Sequence, residues 1–111
     1  MDFTLASSDL GRVSITEDAL VQIVGLTAGQ CYGVVGMSPS RLGRLLRRRG
    51  IELSGAEGTV SISVHVVVEH GLNLAEVAST VRNRVSYEVE RMTGLEVANV
   101  EIHIESVKVS A

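Results

Sequence analysis

Apolar and polar residues along this chain recur with two periods, and the places where one gives way to the other mark its elements. From Gly11 to Ile15 the pattern alternates, with Val13 and Ile15 on one side of a strand. Thr16 then stands where a helix N-cap belongs, and Glu17 and Asp18 follow at the positive end of the helix dipole. Leu20, Ile23, Val24 and Thr27/Ala28 repeat at helical spacing, predicting a helix that ends near Gly29 to Gly33. Val34 to Met37 reads as a short buried strand or an extended turn. Ser38 and Pro39 read as N-cap and first residue of a short helix with Leu42, Leu45 and Leu46 inside, stopped by Gly50.

The second half is more regular. Glycines at 55 and 58 predict a turn between a short strand over 51–54 and a long one over 59–69. The long strand sets Val60, Ile62, Val64, Val66 and Val68 on one face and Thr59, Ser61, Ser63, His65 and Glu69 on the other, as expected when one side is buried and the other wet. Asn73 with Glu76 reads as a capping box, and Leu74, Val77, Ala78, Val81, Val85, Val89 and Met92 mark one face of a helix that Gly94 caps. In the last strand Ala98, Val100, Ile102 and Ile104 alternate with Asn99, Glu101, His103 and Glu105. Val107 and Val109 then switch parity, which predicts a bulge near Glu105 or Ser106.

This order predicts an α+β fold: a two-layer sandwich in which two main helices cover one face of a mixed sheet, with a short basic helix added. Residues 1–10 read as a flexible tail and 11–111 as a single domain, since 111 residues leave little for a second core. Three aromatics, Phe3, Tyr32 and Tyr87, leave the core to Val, Ile and Leu. One cysteine, Cys31, excludes an intrachain disulfide and fits a reducing compartment, and no apolar run is long enough to span a bilayer.

Charge changes the picture most. The chain is formally at −3, yet five of its ten basic residues, Arg41, Arg44, Arg47, Arg48 and Arg49, fall together with no acid between them. Arg41, Arg44 and Arg48 share a helix face, where guanidinium forks can meet carboxylates, phosphates or an anionic membrane surface. The plain alternative is a solvated face whose stems cover the sheet edge. A protein partner is the preferred reading. A KH-like nucleic-acid binder is the alternative, disfavoured by the acidic balance and the scarcity of aromatics. Gly33-Val-Val-Gly36 and Gly55-Ala-Glu-Gly58 have a GxxG outline but apolar or acidic fillings, and read as turns.

No catalytic constellation is legible. His65 and His103 lie on outward positions of two strands, with Glu101 and Glu105 beside His103, so pairing of those strands would gather metal-type donors. No HxxH spacing accompanies them, and the simpler reading is a polar face with no metal. Cys31 sits at a junction that suggests burial, not nucleophilic use.

Four blocks now line up in order: Gly11-Arg-Val-Ser-Ile15, Gln30-Cys-Tyr-Gly-Val-Val-Gly-Met37, Val64 to Gly71, and Gly94-Leu-Glu-Val-Ala-Asn-Val-Glu-Ile-His-Ile104. Together they resemble the alkaline shock protein family, the Gls-type envelope stress proteins of Gram-positive bacteria, over about residues 11 to 109. The resemblance implies a small cytoplasmic, non-enzymatic protein without cofactor, self-associating and linked to cell-envelope homeostasis. It also implies a protein partner at the membrane, either an anchored adaptor or, by likeness to short relatives, a fatty-acid kinase system. The extended charged tails of larger members are missing.

Overall fold

The structure is a computed structural model, and it describes residues 1–37 and 50–109. Its elements run β1 (Asp2–Ser8), β2 (Gly11–Thr16), α1 (Glu17–Gly29), β3 (Val34–Met37), β4 (Ile51–Ala56), β5 (Thr59–Glu69), α2 (Leu74–Thr93) and β6 (Glu96–Lys108). The expected short basic helix, with Arg41, Arg44, Arg47, Arg48 and Arg49, lies outside the described residues.

β5 is the centre of a four-stranded mixed sheet. One of its edges carries β4, antiparallel from Ile51↔Val64 to Ala56↔Thr59, and beyond it β3, antiparallel at Val66 to Val68. The other edge carries β6 in parallel, from Thr59↔Glu96 to Glu69↔Lys108. A hairpin turn of Glu57 and Gly58 joins β4 to β5, but a parallel neighbour needs a crossover that returns the chain the length of the strand. Eleven residues of β5 span roughly 36 Å, and the 20 residues of α2 return about 30 Å of that.

α2 begins because Asn73 accepts the Glu76 N–H at 3.1 Å, and it ends where Gly94 adopts φ 76°, a left-handed cap that costs glycine little. α1 begins likewise at Thr16, whose Oγ1 accepts the Ala19 N–H. Both helices lie on the face of β5 that presents Val60, Ile62, Val64, Val66 and Val68, none more than 1% exposed. Leu20, Val24 and Ala28 from α1 and Val77, Val81, Val85 and Val89 from α2 complete this layer. Each such Val, Ile or Leu side chain contributes about 1.5–3 kcal/mol by leaving water. Leu74 and Met92, expected on the same stripe of α2, lie at its margins and are exposed.

Residues 1–10, expected as a tail, instead hold β1, which pairs antiparallel with β2 from Asp2↔Thr16 to Ser8↔Gly11. Ser8 Oγ accepts the Leu10 N–H at 3.1 Å and closes the turn, while Phe3 is only 5% exposed and joins the core. The Glu17 N–H donates to the Met1 carbonyl at 3.0 Å, tying the strand to the start of α1. The predicted bulge in β6 is present: the pairing with β5 steps from Ile104 to Ser106, and a second step from Val97 to Asn99 occurs near the start.

The two GxxG stretches are structural. Gly33 has φ 92°, and a Cβ there would come within 2.8 Å of Leu72 Cδ1, so the loop from α1 can pass the start of α2 only without a side chain. Gly55 lies inside β4 and Gly58 in the hairpin turn.

Candidate functional site

The face of the sheet opposite the helices carries a row of polar side chains from three strands. Strand alternation sends Ser61, Ser63 and His65 of β5 to this side, and the pairings put Ser61 beside Asn99 and Ser54, Ser63 beside Glu101 and Glu52, and His65 beside His103. Neighbouring strands run about 4.8 Å apart, so two rings directly opposite are at stacking distance. The His65 and His103 ring centroids are 4.5 Å apart with an interplanar angle of 11°.

His65 is the centre of this face. Its residue exposure is 9%, and both ring nitrogens meet carboxylates: Nδ1 is 2.7 Å from Glu105 Oε1 and Nε2 is 3.1 Å from Glu52 Oε1. A neutral imidazole has one N–H, so both contacts are hydrogen bonds together only when the ring carries two protons or one carboxyl is protonated. His103 Nε2 lies 3.3 Å from Glu101 Oε1 and is more open to solvent. Beside these groups lies a shallow open groove of about 490 Å³, lined by Glu52, Leu53, Ser54, Ser61, Ser63, Asn99 and Glu101.

The register therefore brings together His65, His103, Glu101 and Glu105, the four residues considered for a metal. Their geometry is that of a hydrogen-bonded His–Glu network, with carboxylates aimed at ring nitrogens and not at a shared point. Among the described residues no three His, Cys, Asp or Glu side chains form a set that could hold a metal ion. Glu52 was missed by sequence reasoning, although a signal existed: the Glu57–Gly58 turn sets Glu52 opposite Ser63, next to His65 on the same face.

The remaining candidates lie elsewhere. Cys31 is 4% exposed, its thiol donates to the Thr27 carbonyl at 3.4 Å, and burial pushes its pKa up against a smaller lowering by Arg84. That is the opposite of an activated nucleophile. His70 is exposed at the end of β5, and its N–H donates to the Lys108 carbonyl at 2.9 Å. No described helix is long and apolar enough to cross a membrane.

Comparison with known proteins adds a family. The sequence pattern of the ASP-23 family, the alkaline shock proteins, described by a cell envelope-related function, matches residues 6–109. The uncharacterized protein YloU of Bacillus subtilis (strain 168) is 29% identical over 109 residues, 90% of this chain and 91% of its own length. An uncharacterized Streptococcus pyogenes serotype M6 protein, Spy1614, is 26% identical over 108 residues, 89% of each chain. Among solved structures, MamM-CTD 215-293 superposes with a TM-score of 0.56 at 11% identity, covering 82% of this chain and 99% of that one. A MamM CTD variant in its nickel form gives 0.53 at 11% identity, covering 85% and 99%. At such identity the likeness concerns the fold alone, an α+β domain.

Proposed function

Since this chain belongs to the alkaline shock protein family, with its cell envelope-related function, we propose that it is a non-enzymatic interaction module. In this reading it self-associates and docks a protein partner at the cytoplasmic side of the envelope. One observation carries the reading: the outer sheet face is an open polar platform whose central histidine is already held by two carboxylates and a stacked ring. A catalytic base needs a nitrogen aimed at space a substrate can enter, whereas both nitrogens of His65 are aimed at protein oxygens. A docking surface needs the reverse, fixed polar groups that lose little freedom when a partner arrives. The arginines at 41, 44, 47, 48 and 49 supply a cationic counterpart for an acidic partner, such as a membrane-anchored adaptor or a kinase subunit.

The test is complementation. Cells lacking the chain are restored with the wild type, with Ser63→Arg to block the platform, or with Arg44→Glu plus Arg48→Glu, and are scored for survival under alkaline or detergent stress of the envelope. The reading expects folded variants that fail to restore survival. Full rescue by Ser63→Arg removes the platform, and full rescue by all variants removes the docking role.

A further inference from the structure

Resting on the interaction-module reading, we propose that the open edge of β6 pairs with β6 of a second copy, antiparallel, about a two-fold axis centred on Ile102. β5 fills the inner edge of β6 from Glu96 to Lys108, and no described strand occupies the outer edge. Such an edge offers a row of N–H and C=O groups that another chain completes. Among the described residues it is blunted at its start, where Glu90 Oε2 takes the Val97 N–H at 3.0 Å. Between the steps in register, residues 99–104 run regularly along β5, and Ile102 lies within that stretch.

Charge and face select the register. Residues directly opposite each other in an antiparallel pair share a face, so the axis must pass at a residue and not between two. Centring on Glu101 sets that carboxylate against its own copy. Centring on His103 sets Glu101 against Glu105 and repeats the clash. Centring on Val100 moves His103 opposite Val97, and centring on Ile104 runs the pairing through the Glu105 step with Ile102 facing Ser106. Ile102 alone avoids these conflicts. It pairs Glu101 with His103 twice, Val100 with Ile104 twice and Ile102 with itself, all within the stretch between the two steps. A two-fold axis normal to the sheet also keeps both polar faces on one side, so the two platforms become one continuous surface across two four-stranded sheets.

Cysteine cross-linking with sedimentation of the full chain tests this. Opposed residues in such a pair have Cα atoms about 4.5–5.5 Å apart, within disulfide reach. Under mild oxidation Ile102→Cys is expected to form a covalent dimer, with buried Cys31 inert. Glu101→Cys and His103→Cys are each expected to cross-link poorly alone and efficiently when mixed. His103→Glu should raise the dimer dissociation constant about tenfold, and adding Glu101→Lys should restore it to within about threefold. Efficient cross-linking of Glu101→Cys or of His103→Cys with itself overturns the register. A wild-type chain that stays monomeric at millimolar concentration, or a dimer indifferent to His103→Glu, overturns the pairing, as does a monomer whose edge takes up an added extended peptide instead. These readouts need no cells, so a dimer in this register beside full rescue by Ser63→Arg would overturn the platform and leave the pairing standing.

Discussion

Val64 and His65 are consecutive in β5 and point to opposite faces. Val64 is fully buried among the side chains of two helices, while His65, nearly as buried, is sealed by a stacked ring and two carboxylates. The inner face is held by contacts that have no direction and tolerate exchange of one aliphatic group for another of similar volume. The outer face is held by contacts with direction and proton count, in which removing one member changes what the others can bond. One strand thus carries a layer specified by shape and a layer specified by chemistry, and the second is the one a partner can read.

Three measurements break or sharpen that contrast. The largest effect is expected on the inner face: Ile62→Ala should lose about 2–5 kcal/mol in urea unfolding, while Ser61→Ala on the opposite side stays within about 0.5 kcal/mol. Equal losses at both positions would erase the distinction between the faces. Intermediate is the network itself. His65→Ala leaves Glu52 and Glu105 without the ring and should cost about 1–3 kcal/mol, and the double change of His65 and Glu105 should be clearly less than additive. Additivity would mean that the 2.7 Å contact contributes nothing of its own.

The smallest effect concerns Cys31. Its folded pKa is raised above the ordinary thiol value of 9.0, so the unfolded chain ionises first and the folded state loses ground as pH climbs from that value through the folded one. The wild type should therefore lose at most about 1.4 kcal/mol per pH unit more than Cys31→Ala over that interval, with no difference at neutral pH. Parallel melting curves for the two proteins at high pH would show that the thiol is not desolvated.

Much of the fold was legible because it is written in local patterns. Thr16, Asn73 and Gly94 act as the caps their positions announced, and the alternation of Val60 to Val68 marked the buried face. The parity switch at Val107 disclosed the step at Glu105. β1 escaped notice because its turn has no glycine pair between the strands and relies on the Ser8 hydroxyl, while its apolar anchors, Phe3 and Leu5, pack against residues far along the chain. His65, His103, Glu101 and Glu105 were legible as outward-facing residues, but not as neighbours.

Periodicity, caps and turn residues act within a few positions, so the sequence by itself determined the two described helices, the strands from β2 onward, which face of β5 is dry, and where the cationic cluster lies along the chain. The pairing of β5 with β6 is different in kind. A parallel register is set by the length of α2, its packing on the sheet and the two steps in β6, all of which depend on contacts tens of residues apart. Tertiary structure alone decided that His65 stacks on His103 and lies between Glu52 and Glu105, because only folding brings residues 52, 65, 103 and 105 within hydrogen-bonding reach.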